Sequence, residues 1–378
     1  MRPTYSAFTL FNAKLRQNHL LRHLPRHQHY ALDFSTNDYL GLSQHPYIID
    51  AAIKAADKYG VGYKASRLVS ANQQQIQALE KLIAQSKNAA SSLIFNSGFQ
   101  ANISVISALL DPKVQGTALV FADRLNHASM HAACQLAHIK QQRFNHLDYD
   151  HLAYLLAKAP LTQPKFILTE SVFGMDGDVA DLARIISLAK QYKAFTYVDE
   201  AHASGLFGKQ GYGLTEDFPK EIDVVMGTFS KALGGSGAYI TCHKAIKRYL
   251  VNRAQGFVFS TGPSPMQVAA MQAAWELIPS LQTKVKSLFE KAAYLKNRLL
   301  ALGFDTGNSS SHIIPLIMKE AATTMRVQAE LAKHGIRVSA IRPPSVPSQK
   351  SRLRIALTLS HTDEDINLLI KEICRIIN

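Results

Sequence analysis

The sequence predicts an α/β fold: a large domain with a mainly parallel sheet covered by helices, then a smaller α+β C-terminal domain. Two observations carry this. From Pro46 onward, short apolar runs alternate with amphipathic stretches of helical spacing, the pattern of strands buried between helices. After about residue 280 that alternation gives way to one long amphipathic stripe and a new arrangement of strands and helices. A chain of 378 residues with 47% hydrophobic content can bury more than one core, so residues 1–45 are expected as an arm, 46–280 as the large domain and 281–378 as the small one.

Taken in order, residues 6–23 predict a first helix, ALDFSTND a short strand, and NDYLGLSQHP a turn-rich entry to the main body. The runs SSLIFN, ALVFAD, KFILTES, AFTYVDE, DVVMGTFS and AYITC read as strands. Between them, Val179, Leu182, Ile185, Ile186 and Ala189 share one face of a helix over 179–192, and AFTYVD follows as a buried strand. The stripe Val285, Leu288, Ala292, Leu295, Leu299 and Leu302 predicts a long domain-linking helix stopped at Gly303. Beyond it, HIIPLIM, IRVSAI and RLRIALT read as strands, with a helix between the first two. A last helix starts after Thr362, with Asp363, Glu364 and Asp365 in the turn where the dipole favours acids.

Composition narrows the function. Cys134, Cys242 and Cys374 are odd in number, far apart and free of CxxC spacing, which points to neither a disulfide framework nor a zinc knuckle. The first residues lack the apolar core of a signal peptide and no run reaches membrane-spanning length, so a cytoplasmic protein is expected. The net charge of +14 suits an anionic partner. Lysines and arginines are scattered without aromatic interleaving, which argues against nucleic acid and fits an anionic acyl thioester or its acidic carrier better.

Four segments carry chemistry. In AFTYVDEAHASG a strand ends at Asp199 with His202 three residues on, where α/β sheets bind ligands. Asp199 can hold the pyridine nitrogen of pyridoxal 5′-phosphate (PLP) protonated, and His202 can bond the phenolic oxygen; equally, the pair could only cap a helix. DVVMGTFSKALGGSG places Lys231 among small residues with Thr228 nearby, a setting for a lysine that forms a Schiff base with the cofactor, with Thr228 on its phosphate; the alternative is a surface lysine after a strand. FNSGFQAN puts Gly98 and Phe99 at a strand-to-helix turn, a phosphate cup or an ordinary turn. ADRLNHASMHAA offers His127 to stack on the ring opposite the lysine. The spacings His127/His131 and His19/His23/His27 could suggest metal pairs, but no HExxH glutamate accompanies the first and Pro25 interrupts the second, so no metal is expected.

With these residues in place, the chain resembles the α-oxoamine synthase family of fold-type I PLP enzymes over nearly its whole length. NDYLGLSQHP, SGFQAN, DRLNHAS, TESVFGMDGD, VDEAHASG, GTFSKALGG, FSTGPSP and IRPPSVPSQKSRLRIALT carry the resemblance. It implies a PLP-dependent acyltransferase that condenses an amino acid with an acyl thioester, losing carbon dioxide and free thiol. The IRPPSVP form implies L-alanine and a pimeloyl thioester, on coenzyme A or acyl carrier protein, in biotin biosynthesis. The resemblance places Arg342 and Ser345, with Arg22 and Asn37, on the substrate side, and Arg354 on the substrate carboxylate, where the alternative is a strand residue facing solvent. Ser260 and Thr261 would reach the phosphate from the neighbouring subunit of a homodimer with shared active sites. Two departures stand out: Gly174 replaces a usual serine, and YGVGYKASRLVSANQ carries fewer glycines than is common. A sister activity such as a glycine C-acetyltransferase shares the motifs, whereas a non-catalytic pairing subunit would be expected to lack Lys231.

Overall fold

The structure, a computed structural model, describes residues 3–24 and 28–377; Pro25 and His27 lie outside them. In chain order the strands are β1 Leu32–Asp33, β2 Ser91–Phe95, β3 Leu119–Asp123, β4 Gln141–Phe144, β5 Lys165–Glu170 and β6 Ala194–Asp199. They continue with β7 Val224–Thr228, β8 Ala238–Cys242, β9 Ile313–Lys319, β10 Ile336–Arg337, β11 Ser339–Ile341 and β12 Ser351–Ala356. The described chain divides into two compact units, one of residues 38–173 and 179–285, the other of 1–37, 174–178 and 286–378.

The first unit holds a seven-stranded sheet in the order β2-β8-β7-β6-β5-β3-β4. All pairings are parallel except those of β8, which runs antiparallel to both β2 and β7. Pleating sends alternate residues to opposite faces. Val120, Phe166, Leu168 and Tyr197 enter one buried cluster, while Phe121, Ile167 and Val198 enter the other. Because both faces are covered, these strands read as unbroken apolar runs. All six strands expected in this unit are present. The seventh, β4, was missed because QQRF lies at the sheet edge and buries only Phe144 fully. The helix expected over 179–192 begins at Leu182, capped by the Asp181 side chain on the Arg184 amide, because Val179 instead bridges to Val172.

In the second unit, β9, β12 and β11 form an antiparallel sheet, and β1 pairs in parallel with β10. Three expectations change here. The first helix spans Pro3–Gln17 rather than 6–23: His19 turns left-handed at φ 57°, and the amides of Leu20 and Leu21 bond back to the Leu15 carbonyl, closing the helix early. ALDFSTND yields only the two-residue β1. IRVSAI is two strands, since Ile336–Arg337 pairs with β1 while Ser339–Ile341 turns to β12. The long helix runs Gln282–Ala301 and is followed by Gly303 at φ 84°. The last helix runs Asp363–Ile377 after Thr362, as expected, and opens with reciprocal bonds between Thr362 and Asp365. No described helix is long and apolar enough to cross a membrane.

Candidate active site

Strand geometry gathers the candidates of the first unit at the C-terminal ends of neighbouring strands. Asp199 closes β6, with its carboxylate 3% exposed and fixed at both oxygens: Oδ1 accepts from the Ala201 amide at 2.8 Å, and Oδ2 accepts from Asn102 Nδ2 at 2.8 Å. Asn102 also donates to Ser129 Oγ at 2.9 Å and accepts from Tyr197 Oη at 2.7 Å. His202 is buried on the turn after β6, with Nδ1 2.8 Å from Tyr39 Oη.

Lys231 is half-buried on the loop between β7 and β8. That loop is pinned by the Gly234 amide on the Lys231 carbonyl at 2.9 Å. Gly234 has φ 65°, and a Cβ there would come within 2.2 Å of the Ser43 amide nitrogen, so only glycine lets the turn close. Thr228, the last residue of β7, has a buried Oγ1 that makes no hydrogen bond. Facing it, Gly98 begins the helix Gly98–Leu109, capped by Ser97 on the Gln100 amide. A Cβ on Gly98 would meet Thr228 Cγ2 at 2.6 Å, which lets the helix N-terminus approach the strand end. Phe99 is 52% exposed and lies edge-on to His127, with ring centroids 6.3 Å apart.

His127 caps the helix Ala128–Leu136: its Nδ1 accepts from the Ser129 amide at 3.3 Å and lies 2.6 Å from Ser129 Oγ. The residue is exposed at the protein surface. Burial pushes its pKa below the ordinary value, the positive charges of Lys231 and His131 add to that, and Asp199 opposes it. His131 bonds Gln141 Oε1 at 2.7 Å. Ser260 is held by Gln100 Nε2 at 2.8 Å, and the Thr261 carbonyl by Asn96 Nδ2 at 2.8 Å, so both sit beside the first turn of the Gly98 helix.

The remaining candidates belong to the second unit. Arg354 is buried on β12 and does not face solvent; its Nε donates to the Gly174 carbonyl at 2.5 Å and its Nη2 to Asn37 Oδ1 at 3.2 Å. Arg22 donates to Ser345 Oγ at 2.9 Å, and Arg342 donates to the Leu21 carbonyl at 2.9 Å. Arg342 is 9% exposed, its Nε has no hydrogen-bond partner, and burial and then the charge of Arg22 lower its pKa.

Four residues that the sequence analysis left unassigned join the first group. Asn102, Ser129 and Tyr39 stand inside quoted motifs; Asn102 and Tyr39 show their roles only through contacts distant in sequence, and Ser129 joins the group when Asn102 donates to it. Glu170, the end of β5 and the register partner of Asp199, is the fourth. Burial pushes its carboxyl up to about 8; Asp199 adds to the shift while Lys231 and the His127 amide oppose it.

The chain matches the aminotransferase class I and II model over residues 31–373. It belongs to the aminotransferase class I and II family. A Magnetococcus marinus relative provisionally named 8-amino-7-oxononanoate synthase is 45% identical over 361 residues, covering 94% of this chain and 91% of that protein. The 8-amino-7-oxononanoate synthase of Gluconacetobacter diazotrophicus is 43% identical, covering 90% of this chain and 86% of its own. Serine palmitoyltransferase of S. paucimobilis, solved with PLP and myriocin bound, is 24% identical with a TM-score of 0.90 over 99% of this chain and 97% of that one. That last likeness is one of fold, the fold-type I architecture of PLP enzymes. This aminotransferase class I and II fold implies PLP, and the residues present fit it: a buried hydroxyl without a partner at Thr228, a helix N-terminus brought close by Gly98, and a buried carboxyl at Asp199 fixed by Asn102 and the Ala201 amide.

Proposed function

We propose that the chain catalyses the reaction its relatives are named for, joining L-alanine to a pimeloyl thioester to give 8-amino-7-oxononanoate, carbon dioxide and free thiol. In this reading PLP is anchored covalently on Lys231. Asp199 would hold its pyridine nitrogen, His202 its phenolic oxygen and His127 its ring. Gly98, Phe99 and Thr228 cradle the phosphate, and Ser260 and Thr261 serve the phosphate of the neighbouring subunit in a homodimer. Bound, the cofactor supplies an electron sink for the pair left on the amino acid Cα when its proton departs.

The chain's own groups do the rest. The Lys231 amine takes the Cα proton and later returns one. Arg354 holds the amino-acid carboxylate in a charge-assisted pair beside Asn37. Arg22, Arg342 and Ser345 serve the acyl side. A bond forms between Cα and the acyl carbon as the C–S bond breaks and the thiol takes a proton, after which the carboxylate leaves as carbon dioxide.

The observation that most favours this reading is the Thr228 hydroxyl, buried without a partner opposite the Gly98 helix start and three residues before Lys231. A buried hydroxyl left unsatisfied costs about 1–3 kcal/mol, a cost that a bound phosphate removes. The identity of 43–45% to the named synthases supports the choice of substrates. The test incubates the purified protein with PLP, pimeloyl-CoA and either L-alanine or glycine, follows free thiol and weighs the amine product. Thiol release with alanine and the mass of 8-amino-7-oxononanoate are expected. Release with glycine alone would move the protein to a sister activity.

A further inference from the structure

A hydrogen-bonded chain of four groups runs from Asp199 through Asn102 and Ser129 to His127, with Tyr197 joined at Asn102, and its two ends leave the middle no freedom. An ionised Asp199 can only accept, so the Asn102 amide that faces its Oδ2 at 2.8 Å must present Nδ2. The second hydrogen on that nitrogen goes to Ser129 Oγ at 2.9 Å, and the Asn102 carbonyl oxygen accepts from Tyr197 Oη at 2.7 Å. Having accepted from Asn102, Ser129 Oγ turns its own hydrogen to His127 Nδ1 at 2.6 Å. At the other end the Ser129 backbone amide, which can only donate, points at the same Nδ1 from 3.3 Å. His127 Nδ1 is therefore an acceptor twice over, and in the neutral ring the proton sits on Nε2.

We propose that Ser129 and Asn102 are positioning residues that hold His127 as its Nε2–H form and tie that choice to Asp199, so that His127 donates a hydrogen bond from Nε2 to the acyl carbonyl oxygen of the substrate. Partial desolvation of His127 lowers its pKa and so favours the neutral ring whose tautomer the relay selects. The links behind the exposed His127 are buried: Ser129 is 0% exposed, Asn102 1% and Tyr197 0%. Water therefore has little means of replacing a lost link. Removing the Ser129 hydroxyl takes away the stronger of the two donors at Nδ1 and frees the ring to populate the other tautomer. The last step, donation to the acyl oxygen, rests on the proposed function; the tautomer does not.

The test reads the two ring nitrogens of His127 by ¹⁵N NMR, in apo and PLP-loaded protein near pH 8, with the signal assigned by a His127→Gln variant. The expected result is Nε2–H in wild type, a mixture of tautomers in Ser129→Ala, and recovery in Ser129→Thr. In the PLP-loaded enzyme, Ser129→Ala should lose about 10–100-fold in kcat while KM for alanine and the affinity for PLP stay within about twofold, the pattern of a misplaced catalytic group. Nδ1–H in the wild-type protein would overturn the relay whether or not the alanine variant folds, as would Ser129→Ala with wild-type tautomer and kcat. Expected tautomers in a protein that makes no product with any amino acid would leave the relay intact and instead discard the proposed function.

Discussion

The two units of this chain carry opposite charge chemistries. In the sheet unit, three buried carboxyls, Asp123, Glu170 and Asp199, end three strands, and two of them are satisfied by hydrogen-bond partners: Asp123 by the amides of Leu125 and Leu147 and by His146, Asp199 by Asn102 and the Ala201 amide. In the other unit the candidates are guanidiniums held by neutral oxygens: Arg354 by Gly174 and Asn37, Arg22 by Ser345, and Arg342 by Leu21. A carboxylate set suits a protonated heterocycle, and an arginine set suits anionic substrates. On the proposed function, the difference assigns cofactor chemistry and substrate recognition to separate parts of the chain, so substitutions in each should fail in different ways.

The largest expected effect lies in the sheet unit. Lys231→Ala should lower turnover about 10³–10⁴-fold, measured as thiol release, with little change in thermal unfolding because Lys231 is only half-buried on a loop. Turnover at the wild-type rate would remove Lys231 from the mechanism and with it the contrast between the units.

How legible each unit was in sequence follows the same divide. Strands buried on both faces announced themselves as apolar runs, and Asp199, Thr228 and Lys231 lie at or just past their ends, so the sheet site could be read from strand ends and small residues. Edge and bridging pieces were less legible: β4 is too polar to be read, and the runs read as strands at ALDFSTND and IRVSAI shrink there to the two-residue β1 and β10, which pair Leu32 with Ile336 and Asp33 with Arg337. Asn102, Tyr39 and Glu170 escaped because nothing local marks a residue whose partner lies tens of positions away. In the arginine unit the candidates came from family resemblance. Spacing alone could not tell that Arg354 on β12 turns inward to the Gly174 carbonyl.

The second effect belongs to the arginine unit. Arg354→Lys keeps the charge but loses the fork that bonds two acceptors, so KM for L-alanine should rise about 10–100-fold. PLP affinity, read by fluorescence titration of the apo-protein, should not move. A parallel loss of PLP affinity would break the separation between the units.

A third effect sharpens the carboxyl side. Glu170 is raised from 4.5 to about 8, chiefly by burial. Between those values the folded protein keeps a proton that the unfolded chain releases, so this group's contribution to stability is complete below about pH 4.5 and falls as pH rises towards 8. Glu170→Gln removes that component. Urea denaturation from pH 5 to 8 should show the variant losing less stability with rising pH than wild type does; identical slopes would mean that Glu170 is ionised throughout and that the strand ends bear one more negative charge than described.

The smallest effect is the most discriminating, because its two readouts move in opposite directions. Thr228 Oγ1 is buried and makes no hydrogen bond, while its methyl packs where a Cβ on Gly98 would fall. Thr228→Val keeps the shape and deletes the unsatisfied hydroxyl, so the apo-protein should unfold at the same denaturant concentration or a slightly higher one, by up to about 1 kcal/mol. The same change removes a donor from the phosphate cradle, so PLP should bind several-fold more weakly. A residue serving only the fold would lose stability on losing a contact, and one serving only the surface would change neither. Gain or constancy in the apo-protein together with loss in cofactor affinity is expected only where the fold leaves a polar group unsatisfied for a ligand to complete.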